Sequence, residues 1–392
     1  MKDFVFHNPT KIVFGRGKAS VIGDELSLDG HKKVLMIYGG GSIKRNGTYQ
    51  TVVESFKRNN IEHFEISGVK PNPILSKVKE AISFGKEKAV TAVVPVGGGS
   101  VYDSAKAIAA GIATDNDIWE AFLGKWKVKS ALPIYGILTI SATGSEMNGN
   151  AVITDEKTSE KRSISASVIY PRVSIIDPEI QFTLPKNQTV NGAVDAISHV
   201  CEYFFNGYSE SFIQDHIAAS IIRTIISSTE VLIDEPQNYE ARAQFAWAAT
   251  LALNGINAAG RGSGDWASHQ IEHSLSGLYD IPHGVGLSII MPAWMQYVLD
   301  TEPSSMTPRF DLFAKLVFDS VEKNSMTNAH NAIQKLKSWF KNIGQPVSLT
   351  EVGLSEKHIP QILDNIERIG LPTGKAKKLY RDDVEKILKL AI

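Results

Sequence analysis

The sequence has little cysteine and no excess of charge of either sign. Cys201 is the single cysteine in 392 residues, which excludes an internal disulfide framework and a thiolate-rich metal site. Lys and Arg number 41 against 42 for Asp and Glu, so the formal net charge is −1. Since no basic excess is available to neutralise a phosphate backbone, we expect no nucleic-acid partner. Any metal site must use nitrogen and oxygen ligands.

Long apolar runs are also missing. Residues 1–9 contain an early acid and an early proline, but not the continuous apolar run of a secretory signal. The most apolar stretch, residues 217–233, is interrupted by Arg223, Glu230 and several hydroxyl side chains. This pattern indicates a buried helix rather than a membrane span. We therefore expect a cytoplasmic protein without a membrane partner, in which Cys201 is a buried, inert thiol.

The length and the periodicity of the sequence predict two domains. Up to about residue 184, β-rich runs alternate with amphipathic segments, as expected of a parallel sheet with crossover helices. From Pro185 onward, apolar residues recur at three- and four-residue spacing, which predicts helices. We expect an α/β domain over residues 1–184 and an all-α domain over residues 185–392. The predicted strands are 33–38, 61–66, 89–96 and 133–140, with further strand segments at 153–155 and 163–176; the predicted helices are 48–60, 75–87, 104–110, 194–205, 212–232 and 241–258.

Three predicted strands end in clusters of small residues, at 39–42, 97–100 and 141–146. Ligands of open parallel sheets bind beyond the carboxyl ends of the strands. The N–H groups at the start of the following helix also attract phosphate. A single glycine run serves equally well as a plain tight turn, but two such runs in one α/β unit favour a nucleotide site.

The first glycine turn bears on the choice of cofactor. Sites selective for NAD commonly place an acid at a strand end, where it accepts a hydrogen bond from the ribose 2′-hydroxyl. Here the strand ends in Tyr38 and glycine, and Lys44 and Arg45 follow closely. If this turn faces the adenosine ribose, NADPH is the preferred cofactor and NADH is a possible one. The alternative is that Lys44 and Arg45 are solvated surface charges.

Five residues have the spacing of a metal site. Asp195 and His199 lie four residues apart in a predicted helix, as do His269 and His273, so each pair shares one helix face. His283 follows a proline, and its turn could bring it back to the same point. A single pair of this kind is more often structural, but the combination favours a metal site. One carboxylate with imidazoles suits Fe(II), zinc or another first-row cation. No role is assigned to the remaining histidines, which are His7, His31, His63, His216, His330 and His358.

These motifs resemble the iron-containing (group III) alcohol dehydrogenases in order and spacing. The resemblance rests on Gly97-Gly98-Gly99-Ser100-x-x-Asp103-x-x-Lys106, Thr143-Gly144-Ser145-Glu146, Asp195-x-x-x-His199 and His269-x-x-x-His273-x-x-x-Gly277-x-x-x-x-Pro282-His283-Gly284. Residues 38–44 and Gly264-Asp265-Trp266 resemble the butanol dehydrogenase and broad aldehyde reductase branch. The resemblance implies a dehydroquinate synthase-like architecture, in which residues 1–184 are a dinucleotide-binding domain and residues 185–392 are a metal-binding, catalytic domain. It also implies an active site in the cleft between the two domains, and a homodimer.

The resemblance also implies roles for individual residues. It assigns metal ligation to Asp195, His199, His269 and His283. His273 is implied not to be a ligand but to stand beside the nicotinamide and the substrate. For the cofactor it implies Gly39, Gly40 and Ser42 at the adenosine end, Asn72, Gly97, Gly98, Ser100 and Asp103 around the phosphates and ribose, and Thr139, Thr143, Asn150 and Lys161 along the rest. A small alignment shift would exchange Lys161 with Lys157 or Arg162.

One residue departs from the family's pattern. Many relatives have alanine just before the second histidine of the block, where this chain has Glu272. On a helix we expect Glu272 to face away from the metal and to have little effect on the chemistry.

The expected activity is hydride transfer between NAD(P)H and a small aliphatic aldehyde or primary alcohol, such as butanal and butanol. A divalent metal, Fe²⁺ in most of the family and Zn²⁺ as the alternative, would act as the Lewis acid. His273 either relays a proton or packs against the cofactor. A glycerol dehydrogenase-like or other polyol-oxidising enzyme and a dehydroquinate synthase-like lyase are the alternatives. A non-catalytic nucleotide sensor would not need four converging metal ligands.

Overall fold

The computed structural model describes residues 1–208 and 210–392. Two compact units are present. The sheet unit comprises His7–Pro185 and Glu235–Thr250, and the helical unit comprises Met1–Phe6, Lys186–Asp234 and Leu251–Ile392. The division of the chain into domains at residues 184 and 185 stays a prediction. One boundary does not describe both units, because residues 235–250 belong to the sheet unit although they follow residue 185 in the sequence.

The sheet unit contains a parallel sheet and its crossover helices. Its strands are β1 (Lys11–Phe14), β2 (Lys33–Tyr38), β3 (Glu62–Ile66), β4 (Ala92–Gly97), β5 (Tyr135–Leu138), β6 (Asn150–Asp155), β7 (Glu160–Ser165) and β8 (Val173–Ile176). Its helices are α1 (Ile22–Leu28), α2 (Ser42–Arg45), α3 (Thr48–Arg58), α4 (Leu75–Glu87), α5 (Gly99–Ile112) and α6 (Ile118–Phe122).

Six of these strands form the main sheet, in the order β1-β8-β5-β4-β2-β3. All neighbouring pairs in it are parallel. The chain passes from β2 outward to β3 and then returns to β4 on the other side of β2. This reversal makes the gap between β2 and β4 a topological switch point, where open α/β sheets bind ligands. β6 and β7 form a separate antiparallel pair.

Alternating residues of the strands bury both faces of the sheet. Val34 and Met36 of β2 pack in one core with α1 and α3, whereas Leu35 and Ile37 pack in the other core with α4 and α5. A strand buried on both faces has a continuous apolar sequence. That is why β2 was predicted with its observed bounds. The predicted α/β fold class with a parallel sheet is confirmed.

Other predicted segments differ from the structure. Residues 163–176 are not one strand, since β7 ends at Ser165 and β8 begins at Val173. The helix predicted at 104–110 begins earlier, at Gly99, directly after β4. β1 was missed because it has four residues and lies at the edge of the sheet, so its apolar pattern is too short to recognise.

The helical unit follows the predicted periodicity. Its helices are α7 (Lys186–Phe204), α8 (Phe212–Asp234), α10 (Ala267–Tyr279), α11 (His283–Thr301), α12 (Pro303–Phe318), α13 (Ser325–Asn342), α14 (Ile359–Gly370) and α15 (Arg381–Leu390), and α9 (Tyr239–Ala252) lies almost entirely in the sheet unit's segment. Among the described residues, α8 alone is long and apolar enough to cross a membrane, by length and composition only. Core helices pass the same test, and α8 packs against α7 and α12.

Candidate functional site

Three helices of the helical unit bring the four predicted metal ligands together. Asp195 and His199 lie one turn apart on α7, His269 lies on α10, and His283 is the first residue of α11. Asp195 Oδ1 is 3.5 Å from His199 Nδ1, 3.5 Å from His283 Nε2 and 4.0 Å from His269 Nε2. The carboxylate oxygen therefore lies within 4.0 Å of one nitrogen of each of the three imidazoles. The donor atoms of Asp195, His199 and His269 also lie within 4.8 Å of one another.

Two glycines allow α11 to approach its neighbours so closely. A Cβ on Gly284 would stand 2.3 Å from the carbonyl oxygen of Asn191 on α7, and one on Gly286 would stand 2.6 Å from Cγ of Glu272 on α10. Because atoms cannot approach to such distances, any side chain at either position would push α11 away. The histidine at the start of α11 would move with it.

The donor atoms of this cluster are buried and short of partners. Asp195, His199 and His269 are each 5 % exposed or less. Among the described residues, Asp195 Oδ1, His199 Nδ1 and His269 Nε2 have no hydrogen-bond partner. Buried polar atoms without partners are costly, and a cation between them would satisfy all three. The residues present therefore fit a divalent cation.

The pKa values of the two buried histidines are shifted in opposite directions. Burial lowers the pKa of His199 to about 3, although the charge of Asp195 acts in the opposite direction. A neutral imidazole is the form that binds a metal. Burial alone would also lower the pKa of His269, but the hydrogen bond to Glu202 and the nearby acids together raise it.

Two buried glutamates contact the candidate ligands, and sequence reasoning missed both roles. Glu202 is 2.6 Å from His269 Nδ1 and accepts a hydrogen bond from the Ser268 hydroxyl at 2.7 Å. The Glu272 carboxylate contacts His283 Nδ1. The expectation that Glu272 faces away from the metal was therefore wrong. Glu202 continues the helical stripe of Asp195 and His199 at i, i+4 and i+7, a signal that was visible in the sequence.

His273 lies beside the same cluster. Its ring centroid is 5.7 Å from that of His283, and one donor atom each from Glu272, His273 and His283 lie within 4.8 Å of one another. It is half-buried, unlike His199 and His269. The role of His273 beside the nicotinamide, rather than as a ligand, stays a prediction.

In the sheet unit, the two glycine turns lie side by side at the switch point. Tyr38 at the end of β2 pairs with Val96 of β4, so the turns that begin at Gly39 and Gly97 leave neighbouring strands together. The turn after β4 leads into α5, a helix of 14 residues whose first N–H groups have no intrahelical acceptor. This arrangement is a typical anion-binding site at a helix start.

The glycines of the second turn are also required by packing. A Cβ on Gly97 would stand 2.3 Å from the Val101 side chain, and one on Gly99 would stand 2.3 Å from Thr143. Thr143 belongs to the loop after β5, and Thr139 in the same loop donates its backbone N–H to Gly97 at 3.0 Å. The glycine run thus packs the loop after β5 against the turn, whatever ligand binds there.

Several predicted cofactor side chains already have hydrogen-bond partners within the protein. Lys161 is buried and donates to Asn72 at 3.1 Å. The Ser100 hydroxyl donates to the Pro71 carbonyl, which is part of the same turn as Asn72. Of the three interchangeable cations, Lys157 is exposed and Arg162 pairs with Glu160, so Lys161 is the one that points into this cluster.

Asp103 and Lys106 of α5 form a hydrogen-bond network with the loop after β5 and with β6. Asp103 accepts hydrogen bonds from the Ser145 hydroxyl at 2.6 Å and from the Val152 N–H at 3.0 Å. Lys106 donates to Ser145 and to the backbone carbonyl of Asn150, the first residue of β6. Burial lowers the pKa of Lys106 to about 8, against the opposing charges of Asp103 and the buried Glu146. These groups hold α5, the loop after β5 and β6 together.

Lys44 in the first glycine turn has aromatic and acidic neighbours. Its Nζ lies 5.2 Å from the Tyr38 ring centroid and 4.7 Å from that of Tyr49. Glu65 accepts hydrogen bonds from both tyrosine hydroxyls, at 2.8 and 2.6 Å. A hydrogen bond with Tyr38 raises the pKa of the exposed Lys44. Lys44 is therefore partly engaged rather than an isolated surface charge, while Ser42 is exposed.

Two family models match almost the whole chain. The model described as "Iron-containing alcohol dehydrogenase" matches residues 9–178, and "Fe-containing alcohol dehydrogenase family, C-terminal" matches residues 189–392. The chain belongs to the iron-containing alcohol dehydrogenase family. The resemblance inferred from the motifs is thereby confirmed.

Relatives and solved structures of this family cover the full chain. A probable NADH-dependent butanol dehydrogenase of Bacillus subtilis is 40% identical over 395 residues, covering 100% of both chains. An NADPH-dependent aldehyde reductase of Escherichia coli is 34% identical over 374 residues, covering 95% of this chain and 94% of the relative. The crystal structure of NADH-dependent butanol dehydrogenase A from Thermotoga maritima has a TM-score of 0.96 and 55% identity, covering 100% of this chain and 99% of that one.

Proposed function

We propose that this member of the iron-containing alcohol dehydrogenase family is a metal-dependent oxidoreductase that transfers a hydride between NAD(P)H and a small aliphatic aldehyde or primary alcohol, with butanal and butanol as the candidate pair. The convergence of Asp195, His199, His269 and His283 carries the proposal. The first three have buried donor atoms without a hydrogen-bond partner in the described part of the chain. Relatives named as butanol dehydrogenases and as an aldehyde reductase support the substrate class.

Asp195, His199, His269 and His283 would hold the cation. A divalent cation there supplies Lewis acidity that polarises a carbonyl oxygen. The family's description favours iron, and the nitrogen and oxygen donors suit zinc as well. Burial of Asp195, His199 and His269 excludes water from these side chains, which strengthens electrostatic stabilisation of negative charge that develops on the substrate oxygen.

His273 is proposed to relay the proton that the alkoxide requires. An imidazole titrates near neutral pH and can exchange its proton with solvent. Its half-buried position beside His283 supports exchange of a proton with solvent. The alternative role, an imidazole packed against the cofactor, predicts a change in cofactor affinity rather than in proton transfer.

The nicotinamide dinucleotide is proposed to bind along the carboxyl ends of β2, β4 and β5. The adjacent glycine turns and the start of α5 support the placement of the pyrophosphate there. No acid follows Tyr38 and Lys44 lies close by, which predicts NADPH as the preferred cofactor. Several relatives are named as NADH-dependent enzymes, and Glu65 partly neutralises Lys44. NADH is therefore proposed as a second cofactor.

The experiment that tests the function is the reduction of butanal by the purified, metal-reconstituted protein. Loss of NADPH and of NADH absorbance is followed in parallel, with and without a chelator, and glycerol oxidation is assayed beside it. Chelator-sensitive oxidation of either nucleotide supports the proposed enzyme. Turnover of glycerol but not of butanal would contradict the substrate class and favour the polyol-oxidising alternative.

A cytoplasmic homodimer is proposed as the assembled form, on the family resemblance. Light scattering of the purified protein in solution gives the mass directly. A mass near twice 42.9 kDa is expected, and a monomer mass would contradict this part of the proposal.

A further inference from the structure

We propose that Glu272 is a positioning residue of the metal site: its carboxylate holds the Nδ1 edge of His283 so that Nε2 is turned toward Asp195, and it thereby slows loss of the cation. The inference rests on the proposed function, because it requires a cation at Asp195, His199, His269 and His283.

The Glu272 side chain is fully buried between α10 and α11. One carboxylate oxygen contacts His283 Nδ1, and the other accepts a hydrogen bond from the Ser276 hydroxyl. The absence of a side chain at Gly286 lets α11 close over Glu272. A buried carboxylate is costly unless its oxygens are paired. The contact with His283 is therefore part of what makes Glu272 tolerable at this position.

The contact determines which nitrogen of His283 is free to bind. A neutral imidazole carries one N–H donor and one acceptor nitrogen. When Nδ1–H is donated to Glu272, the lone pair lies on Nε2, and Nε2 is the atom 3.5 Å from Asp195 Oδ1. Partners of this kind fix the ring orientation and raise the basicity of a metal ligand.

The same arrangement occurs at a second histidine, which makes coincidence a poor explanation. Glu202 on α7 contacts His269 Nδ1 at 2.6 Å, and His269 Nε2 lies 4.0 Å from Asp195 Oδ1. Both imidazoles thus present Nε2 to the same carboxylate oxygen while a buried glutamate holds Nδ1. The two glutamates add negative charge beside the ligands, which favours retention of a divalent cation.

Glu272 is the better of the two glutamates to substitute. Glu202 also accepts hydrogen bonds from Trp266 N at 2.5 Å and from the Ser268 hydroxyl, so its substitution would disturb the start of α10. For Glu272, Ser276 offers a matched control. Ser276→Ala removes a hydrogen bond to the same carboxylate but leaves the contact between Glu272 and His283 in place.

The test measures metal affinity rather than turnover. The full-length apoprotein is titrated with Co²⁺ in competition with a chromogenic chelator, and the visible spectrum of bound Co²⁺ is recorded. Glu272→Gln conserves volume and removes the charge. We expect its Co²⁺ affinity to fall roughly 10- to 100-fold, as for other outer-shell partners of metal ligands, with a shifted Co²⁺ spectrum. Ser276→Ala should bind Co²⁺ as the wild type does.

A second variant, together with the wild type, distinguishes failure of the positioning role from failure of the proposed metal site. Glu272→Asp retains the charge at shorter reach, and an affinity between those of wild type and Glu272→Gln supports the proposal. Wild-type affinity and spectrum in both Glu272 variants overturn it and leave the enzyme's function untouched. If the wild-type apoprotein itself binds no Co²⁺, the proposed metal site fails, and the positioning role fails with it.

Discussion

The candidate metal site and the ends of the strands differ in how their polar atoms are satisfied. In the helical unit, Asp195 Oδ1, His199 Nδ1 and His269 Nε2 are buried without a hydrogen-bond partner among the described residues. In the sheet unit, Lys161 bonds to Asn72 and Asp103 bonds to Ser145. A cation at the first site would satisfy its donor atoms, whereas the side chains of the second site already have partners within the protein.

This difference indicates how each site would bind its ligand. The metal cluster offers side-chain donors, so removal of one donor removes part of the binding itself. At the strand ends, glycine backbone and the first N–H groups of α5 are available to a phosphate, and the polar side chains mainly hold that backbone in shape. Substitutions should therefore affect metal content in one unit, and stability or cofactor preference in the other.

The largest effect is expected for Asp195→Ala. It removes the oxygen that lies within 4.0 Å of three imidazoles. The loss of metal affinity should exceed the roughly 100-fold that loss of an outer-shell partner causes, and activity should disappear with the metal. Metal analysis of the purified variant and the butanal assay measure both. Full metal content in Asp195→Ala would contradict the contrast between the two sites, because the cation would then be held without this carboxylate.

His273→Ala should separate chemistry from metal binding. If His273 relays a proton, kcat should fall by roughly 10²- to 10⁴-fold while the metal content stays that of the wild type. The half-buried His358, in a 3-10 helix outside the cluster, offers a control in His358→Ala, which should change neither quantity. An empty metal site in His273→Ala would show that the roles of His273 and His283 had been divided wrongly.

Lys106→Met tests the claim that the strand-end side chains serve the shape of the site. The substitution removes the hydrogen bonds that Lys106 donates to Ser145, Asn148 and Asn150. Since it leaves buried acceptors unsatisfied, it should destabilise the sheet unit by about 2 kcal/mol. Thermal unfolding measures the effect. Lys86→Met, which removes an exposed pair with Asp115 at 3.2 Å, should cost less than about 1 kcal/mol. Equal melting temperatures for the two variants would contradict the structural role of Lys106.

The smallest effect is expected at the first glycine turn. Ser42→Asp adds a carboxylate to the exposed start of α2 and should shift the ratio of kcat/KM toward NADH by roughly tenfold, the value of about one charge-assisted hydrogen bond. Lys57→Ala on the exposed face of α3 serves as the control. An unchanged cofactor ratio would mean that this turn does not face the adenosine ribose.

Local spacing in the sequence was sufficient to predict much of the fold and to group the candidate metal ligands. The continuous apolar run of β2 predicted a strand buried on both faces, with the observed bounds. Asp195 and His199 could be placed on one face of a helix because a period of 3.6 residues brings i and i+4 together. Both inferences involve residues within one element, whose geometry follows from backbone hydrogen bonding alone.

The tertiary structure decided what depends on contacts between elements. The contact between Glu272 and His283 depends on the packing of α11 against α10. The spacing of residues within α10 cannot predict that contact. The return of residues 235–250 to the sheet unit likewise depends on contacts far along the chain. The sequence by itself determined the family and the parallel sheet, and it predicted the candidate metal ligands, because these follow from motifs and short-range periodicity. Only the packing of the helices decided which nitrogen each histidine presents, since that orientation is held by partners on other turns and other helices.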